Sequence, residues 1–481
     1  MKEALKEKLK KNLFINGEWI PAEHYTPLDS PYNGECIAEV PSATVEEVER
    51  ALQSAYEARK TMGSMPSHQR AAILENLVRL LDQRSEEAAQ IIAMEAAKPL
   101  MTARGEVART IQTYKFAAEE AKRIHGETIP VDAAPGGEGR IAYTVREPLG
   151  VIGAITPFNF PMNLVAHKVG PAIASGNTVI LKPAEQTPLS AYFLAELLQE
   201  AGLPPGALNI VTGNGSLIGE KLVTDERVQK ISFTGSPAVG KHIRSKAGLK
   251  RVTLELGSNA AVIVDKEVDL DKIISRCVSG AFAFQGQVCI SLQRIYVHQE
   301  IYTAFVEKFV SAAQKLVIGD PLDSATDVSA LISFRYVQRS LDWIEEAKQQ
   351  GATIVMGGKA EGNILYPTVL LNVEPSLKVS CQEVFAPIVL INKFSSIDEA
   401  IELVNDSRYG LQAGIYTQNI QTALNATQQL HVGGVIVNDI PTFRLDHMPY
   451  GGVKESGIGR EGVKYAIEEM TEQKLIVFNR T

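Results

Sequence analysis

A thiol, a carboxylate and an amide are the side chains of this sequence whose types and spacing could do chemistry. Cys289 lies in Phe284-Gln285-Gly286-Gln287-Val288-Cys289-Ile290-Ser291, 34 positions after Glu255 in Leu254-Glu255-Leu256-Gly257-Ser258-Asn259, and Asn159 lies in Pro157-Phe158-Asn159. A nucleophilic thiol with a separate base is the minimum equipment for covalent chemistry on a carbonyl. Gly286 permits close backbone approach, and the polar residues beside the thiol suit a loop or a helix start, where backbone N–H groups favour a thiolate. Thiolate attack on an aldehyde produces a tetrahedral alkoxide that needs fixed donors, here the Asn159 amide and the Cys289 N–H. Hydride can then leave to a nicotinamide, and Glu255 can activate the water that hydrolyses the resulting thioester. Taken singly, Cys289 reads as a core cysteine, Asn159 as a turn residue and Glu255 as a strand end. They form a site only if the fold brings them together.

The elements that must do so follow from periodicity. Apolar residues recur at helical spacing from Val45 through Val48, Leu52, Ala55 and Tyr56, and again over Ala71–Ala97, so the first quarter reads as mainly helical. A third helix is expected over Thr102–His125, and Thr128–Val145 reads as a projecting hairpin around Pro135-Gly136-Gly137. After Pro148, short apolar runs at Val151–Ile155, Thr178–Leu181, Leu208–Val211, Ile231–Phe233 and Val252–Leu254 alternate with helical segments, which predicts βαβ units and a parallel sheet. Ligands of such sheets sit beyond the carboxyl ends of the strands. Asn159, Lys182, Glu185, Gly215, Ser236 and Glu255 all fall there. The G-x-G-x-x-G fingerprint is absent, but the helix start after Phe233-Thr234-Gly235-Ser236 could cradle phosphate. From Asp265 a second alternation carries Cys289, with helices expected over Glu300–Ile318 and Arg335–Gln350 and a strand at Gly434–Asn438. The run Lys474–Phe478 is a strand in want of a partner.

Composition narrows the class. The 481 residues, 45% apolar, suffice for two or three domains, and a net charge of −8 with no basic patch beyond Lys2–Lys11 argues against nucleic acid. That basic start reads as a solvated helical lead-in. No apolar run is long enough to span a membrane, so a cytoplasmic protein is expected. Cys36, Cys277, Cys289 and Cys381 lack paired spacing, which fits reduced thiols and no metal site.

Six ordered segments carry a resemblance over nearly the whole length: Pro157-Phe158-Asn159-Phe160-Pro161, Lys182-Pro183-Ala184-Glu185-Gln186-Thr187-Pro188, Phe233-Thr234-Gly235-Ser236, Glu255-Leu256-Gly257, Gly286-Gln287-Val288-Cys289 and Glu383-Val384-Phe385-Ala386-Pro387. The sequence resembles the aldehyde dehydrogenase superfamily, departing from its common pattern at Ser258-Asn259 and Ala386. The resemblance implies Cys289 as nucleophile, Glu255 as base and Asn159 as oxyanion donor. It implies a cofactor wall of Ile155, Thr156, Pro157, Phe158, Lys182, Glu185, Gly215, Phe233, Thr234, Gly235, Ser236, Leu256, Gly257, Glu383 and Phe385. The carboxylate at Glu185 favours NAD, with NADP the less favoured alternative, because it repels a 2′-phosphate.

The implied fold is α/β: a Rossmann-like parallel-sheet cofactor domain (1–123 and 147–254), an α/β catalytic domain (255–440) and a small β oligomerisation domain (124–146 and 460–481). The last gives Lys474–Phe478 a partner in another subunit and predicts a homodimer or homotetramer. Alignment outward from the motifs places Arg109, His167, Arg444, His447 and Tyr450 around the substrate, where two arginines suit a carboxylate, phosphonate, phosphate or sulfonate. The segment Pro441 to Gly452 resembles the lactaldehyde, phosphonoacetaldehyde and sulfolactaldehyde branch, near the succinate semialdehyde enzymes. A small anionic or 2-hydroxy aldehyde is the expected partner. Acyl transfer to coenzyme A and thiol hydrolysis are the competing readings.

Overall fold

The computed structural model describes residues 9–480. Five parallel strands form the middle of an eight-stranded sheet: Val151–Ile155, Thr178–Lys182, Leu208–Ile210, Val228–Thr234 and Arg251–Glu255. Their residues are mostly apolar and mostly buried, as expected of strands covered on both faces. Val151–Ile155 pairs with Thr178–Lys182 on one side and Val228–Thr234 on the other. The chain winds outward to Leu208–Ile210, then crosses back to build Val228–Thr234 and Arg251–Glu255. That reversal opens a crevice beyond the carboxyl ends of Val151–Ile155 and Val228–Thr234.

Helices Asn163–Ala174, Leu189–Glu200, Gly215–Thr224 and Pro237–Lys246 make the crossovers. The last begins cleanly because the Ser236 Oγ accepts from the Val239 N–H and Pro237 fixes the first helical turn. A second sheet of seven strands has Ala261–Val264 and Arg294–His298 near its centre, all parallel except the edge strand Thr353–Met356. None of the described helices is long and apolar enough to cross a membrane.

Several expectations need correction. The first quarter is mainly helical from Val45 onward, but it opens with strands Leu9–Lys10, Leu13–Ile15, Glu18–Ile20, His24–Asp29 and Cys36–Ser42 before helix Val45–Ser64. These strands are short: Leu13–Ile15 pairs with Glu18–Ile20 and His24–Asp29 with Cys36–Ser42, and only Leu13–Ile15 reaches far along the chain, Phe14 to Ile210. The helical lead-in expected over Lys2–Lys11 lies mostly outside the described residues, and its end, Leu9–Lys10, is strand. The stretch Ala71–Ala97 is two helices, Ser67–Gln83 and Ser85–Ala96, divided where Arg84 leaves helical dihedrals.

The run at the end of the chain is strand Thr471–Asn479, and it has a partner within its own subunit. It pairs antiparallel with Arg140–Pro148 of its own chain, from Thr471 against Pro148 to Asn479 against Arg140. With Thr128–Ile129 it forms a three-stranded sheet in which Thr471–Asn479 is an edge.

Candidate active site

The crevice at the switch point opens into a cavity of about 740 Å³. Asn159, Glu255 and Cys289 all line it, although they come from three separate parts of the chain. Cys289 sits in a turn after helix Leu270–Phe282, and that turn has an unusual backbone. Phe284 (φ 48°), Gln285 (φ 55°) and Gly286 (φ 68°) are three successive residues in the left-handed region. Gly286 is required there, because a Cβ would lie 2.2 Å from the Ala386 carbonyl oxygen. Side chains hold the strained turn: Gln285 Nε2 donates to the carbonyls of Ala97 (2.9 Å) and Ala330 (2.8 Å), and Gln287 Oε1 accepts from the Ile332 N–H.

Asn159 follows strand Val151–Ile155 and is buried. Its Nδ2 donates to the Gln287 carbonyl at 2.9 Å, which ties the amide to the turn bearing Cys289 and leaves its second N–H free for a ligand. Behind it lies a buried pair that sequence reasoning missed. Lys98 Nζ donates to the Asn159 carbonyl at 2.6 Å and pairs with Glu106. The Glu106 Oε1 accepts from the N–H groups of Met162 (3.0 Å) and Asn163 (3.1 Å). The same ammonium lies over the rings of Phe160 and Phe284, so one cation braces both walls. Lys98 stands just before Pro99 and in sequence looks like nothing more than a helix stop.

Glu255 ends strand Arg251–Glu255, buried, with neither carboxylate oxygen hydrogen-bonded. Burial, and then the Glu461 carboxylate, push its pKa well above the ordinary range, against the attraction of Arg444 and Lys168. Glu461 takes the ionised role: burial raises its carboxyl, but Lys168 beside it, with His167 and Arg444, brings it down to about 2. Lys168 Nζ lies 3.0 Å from Glu461 Oε1 and donates to Thr234 Oγ1 at 2.8 Å. Both were absent from the sequence candidates, yet Lys168 carries a signal, a lone cation inside the wholly buried helix Asn163–Ala174. Burial raises the Cys289 thiol to about 11, opposed by a hydrogen bond with Tyr450.

The five candidate substrate residues divide. Arg109, Arg444 and Tyr450 line the cavity; His167 is buried behind it, and His447 is exposed, its ring tilted against Phe116 at 4.7 Å. The arginines are preset by carboxylates. Arg109 Nε and Nη2 donate to both oxygens of Asp446 (3.1 and 2.7 Å), and Arg444 Nη2 donates to Glu461 Oε2 at 3.0 Å. His167 Nε2 bridges them, 2.8 Å from Asp446 Oδ1 and 3.2 Å from Arg444. Burial lowers the His167 pKa, which keeps the ring neutral. Lys168, Arg109 and Arg444 therefore pair with Asp446 and Glu461, which leaves one positive charge over while the nearby Glu255 is protonated, and the Arg444 Nε is buried without an acceptor.

The opposite arm of the cavity is lined by every expected cofactor residue except Gly215. Gly215 lies at its margin, where its N–H donates to Glu185 Oε1 at 2.9 Å. The amino end of helix Pro237–Lys246 points into this arm through Ser236, a ready place for a pyrophosphate. Gly257 lets Glu383 close over it: a Cβ there would lie 2.4 Å from Glu383 Oε2, and the Ser258 N–H donates to Glu383 Oε1 at 3.0 Å. Burial brings the Glu383 carboxyl up to about 7. An elongated, phosphate-bearing molecule with hydroxyls for Glu185 and Glu383 fits these residues.

Comparison with known proteins agrees with this geometry. The family described as "Aldehyde dehydrogenase family" matches residues 19–476. A 3-sulfolactaldehyde dehydrogenase of Priestia aryabhattai is 51% identical over 467 residues, 97% of this chain and 98% of that protein. Aldehyde dehydrogenase 21 of Physcomitrella patens, solved with the reaction product succinate, superposes with a TM-score of 0.96 at 41% identity, covering 98% of this chain and 99% of its own. An NADP-dependent glyceraldehyde-3-phosphate dehydrogenase of Bacillus halodurans C-125, solved with NADP, gives a TM-score of 0.96 at 38% identity, covering 98% and 100%.

Proposed function

The chain belongs to the aldehyde dehydrogenase family, and on that premise we propose that it oxidises a short aldehyde bearing an anionic group to the corresponding carboxylate. The Cys289 thiolate attacks the aldehyde carbon, and the free N–H of Asn159 with the Cys289 N–H holds the alkoxide that forms. Lys182, Glu185, Ser236, Glu383 and Phe385 would hold a nicotinamide dinucleotide, which when bound would supply the hydride acceptor needed to take the Cys289 adduct to a thioester. Glu255 takes a proton from water as the water attacks that thioester, and the carboxylate product departs. Glu185 favours NAD, since its carboxylate accepts ribose hydroxyls and repels a 2′-phosphate.

The observation that carries the substrate class is the surplus positive charge beside Cys289, with the Arg444 Nε left for an incoming acceptor. The compounds named for the three relatives carry sulfonate, carboxylate and phosphate, and all are anions that an arginine fork accommodates. Glu255 supports hydrolysis over transfer to coenzyme A, because a base set to activate water is not needed when a thiol is the acceptor. The thiol-hydrolase reading is weakened by the lack of any histidine hydrogen-bonded to the Cys289 sulfur among the described residues.

Initial rates with sulfolactaldehyde, succinate semialdehyde, phosphonoacetaldehyde, lactaldehyde, glyceraldehyde 3-phosphate and propanal, each with NAD and NADP, test this. Arg444→Leu should raise KM for the preferred anionic aldehyde by about tenfold or more while changing propanal little. Equal losses on both would remove the anion from the account. We also infer a homodimer or homotetramer, supported by the apolar face of the three-stranded sheet.

A further inference from the structure

Tyr450 stands in the cavity with its hydroxyl 2.8 Å from the Cys289 sulfur. It is the sulfur's sole hydrogen-bond partner among the described residues, and the ring is 3% exposed. Val288, Ile290 and Leu411 pack with the two residues in one small apolar cluster, and the charged groups that act on the sulfur are Arg444, Glu383 and Glu255. The backbone of Tyr450 is clamped from both directions, its N–H donating to the Glu461 carbonyl at 3.0 Å and its carbonyl accepting from the Glu461 N–H at 2.6 Å. The Arg444 guanidinium lies 3.7 Å from the ring centroid. The hydroxyl is therefore fixed against the sulfur, and a cation polarises the ring that bears it.

A thiol in apolar surroundings resists ionisation, and a donor aimed at the sulfur stabilises the thiolate over the thiol. We propose that Tyr450 is a catalytic residue whose O–H donates to the Cys289 thiolate and so sets the reactivity of the nucleophile, a role distinct from contact with substrate. The proposal rests on the reading of Cys289 as the nucleophile. The balance is simple: the S–H bond breaks, its electron pair stays on sulfur, its proton leaves through the cavity to solvent, and the phenol keeps its own proton throughout. Once the sulfur is bonded to the substrate carbon its charge is gone and the hydrogen bond weakens. Hydrolysis of the thioester breaks the C–S bond and returns its electron pair to sulfur, so the same O–H then receives the departing thiolate.

The test is the rate of iodoacetamide alkylation of Cys289 as a function of pH, without aldehyde or cofactor, mapped by peptide mass so that the other cysteines do not contribute. Tyr450→Phe should move the profile to higher pH and slow alkylation at neutral pH by about tenfold or more. Replacing Tyr450 by 3-fluorotyrosine, which keeps the ring and donates more strongly, should move the profile to lower pH; this variant decides the matter if Tyr450→Phe does not fold. Superimposable profiles, or a rate lowered equally at every pH, would overturn the proposal. If Cys289→Ala instead retained NADH formation while the alkylation shifts occurred as expected, the nucleophile assignment would fall and the hydrogen bond would stand.

Discussion

Glu255 is a base whose own surroundings favour its protonated form. Its raised pKa comes first from burial, so the ionised form that accepts a proton from water is reached only as pH rises. The acidic limb of the steady-state kcat profile should therefore lie above the ordinary carboxylate range, and a limb within that range would show that deacylation uses another group or does not limit turnover. Asn159→Ala, which deletes the free donor, should lower kcat by about 10²–10³ with the fold intact, measured against thermal melting. At this scale the sequence is most legible where chemistry demands a residue type. Cys289, Asn159 and Glu255, each in a short recognisable segment, line the cavity, and so do Arg109 and Arg444, which were placed by alignment outward from those segments. Their partners were not legible. Asp446 meets Arg109 across 337 residues of chain, and Glu461 meets Lys168 across 293, contacts that leave no local trace.

The turn Phe284–Gly286 is the element on which the position of Cys289 depends. Gly286→Ala should cost at least about 1 kcal/mol for the left-handed conformation alone, before the contact with Ala386 is counted. The expected result is a fall in melting temperature together with slow alkylation of Cys289; a variant unchanged in both would show that the turn is not constrained. A second link joins helix Leu100–Ala121 to the segment carrying Arg444. Burial raises the Asp446 carboxyl, but hydrogen bonds from His167 and Arg109 outweigh it and hold the group well below its usual value. With a depressed folded pKa, its contribution is present at neutral pH and is lost as pH falls below the ordinary aspartate range. Strands Val151–Ile155 through Arg251–Glu255 were legible because buried parallel strands are continuous apolar runs, and crossover helices separate them. The strands before Val45 were not, being two to seven residues long and three of them only two or three residues.

Across the whole molecule, the sheet of Arg140–Pro148 and Thr471–Asn479 presents Ile141, Tyr143 and Phe478 to solvent on one face, and Tyr143 stacks on Phe478 at 6.1 Å. Apolar side chains aligned on a sheet with an open edge suit association between copies. Phe478→Asp should shift the mass seen by light scattering toward the monomer, and a wild-type monomer would end the inference of an oligomer. The claim on which the rest depends is a thioester on Cys289 released by Glu255. Incubating Glu255→Gln with NAD and the preferred aldehyde, then weighing the intact chain and its peptides, tests it most directly. The account predicts one acyl group per chain, mapped to Cys289, with a single burst of NADH. Steady NADH formation without an adduct, or an adduct on any other residue, would contradict it.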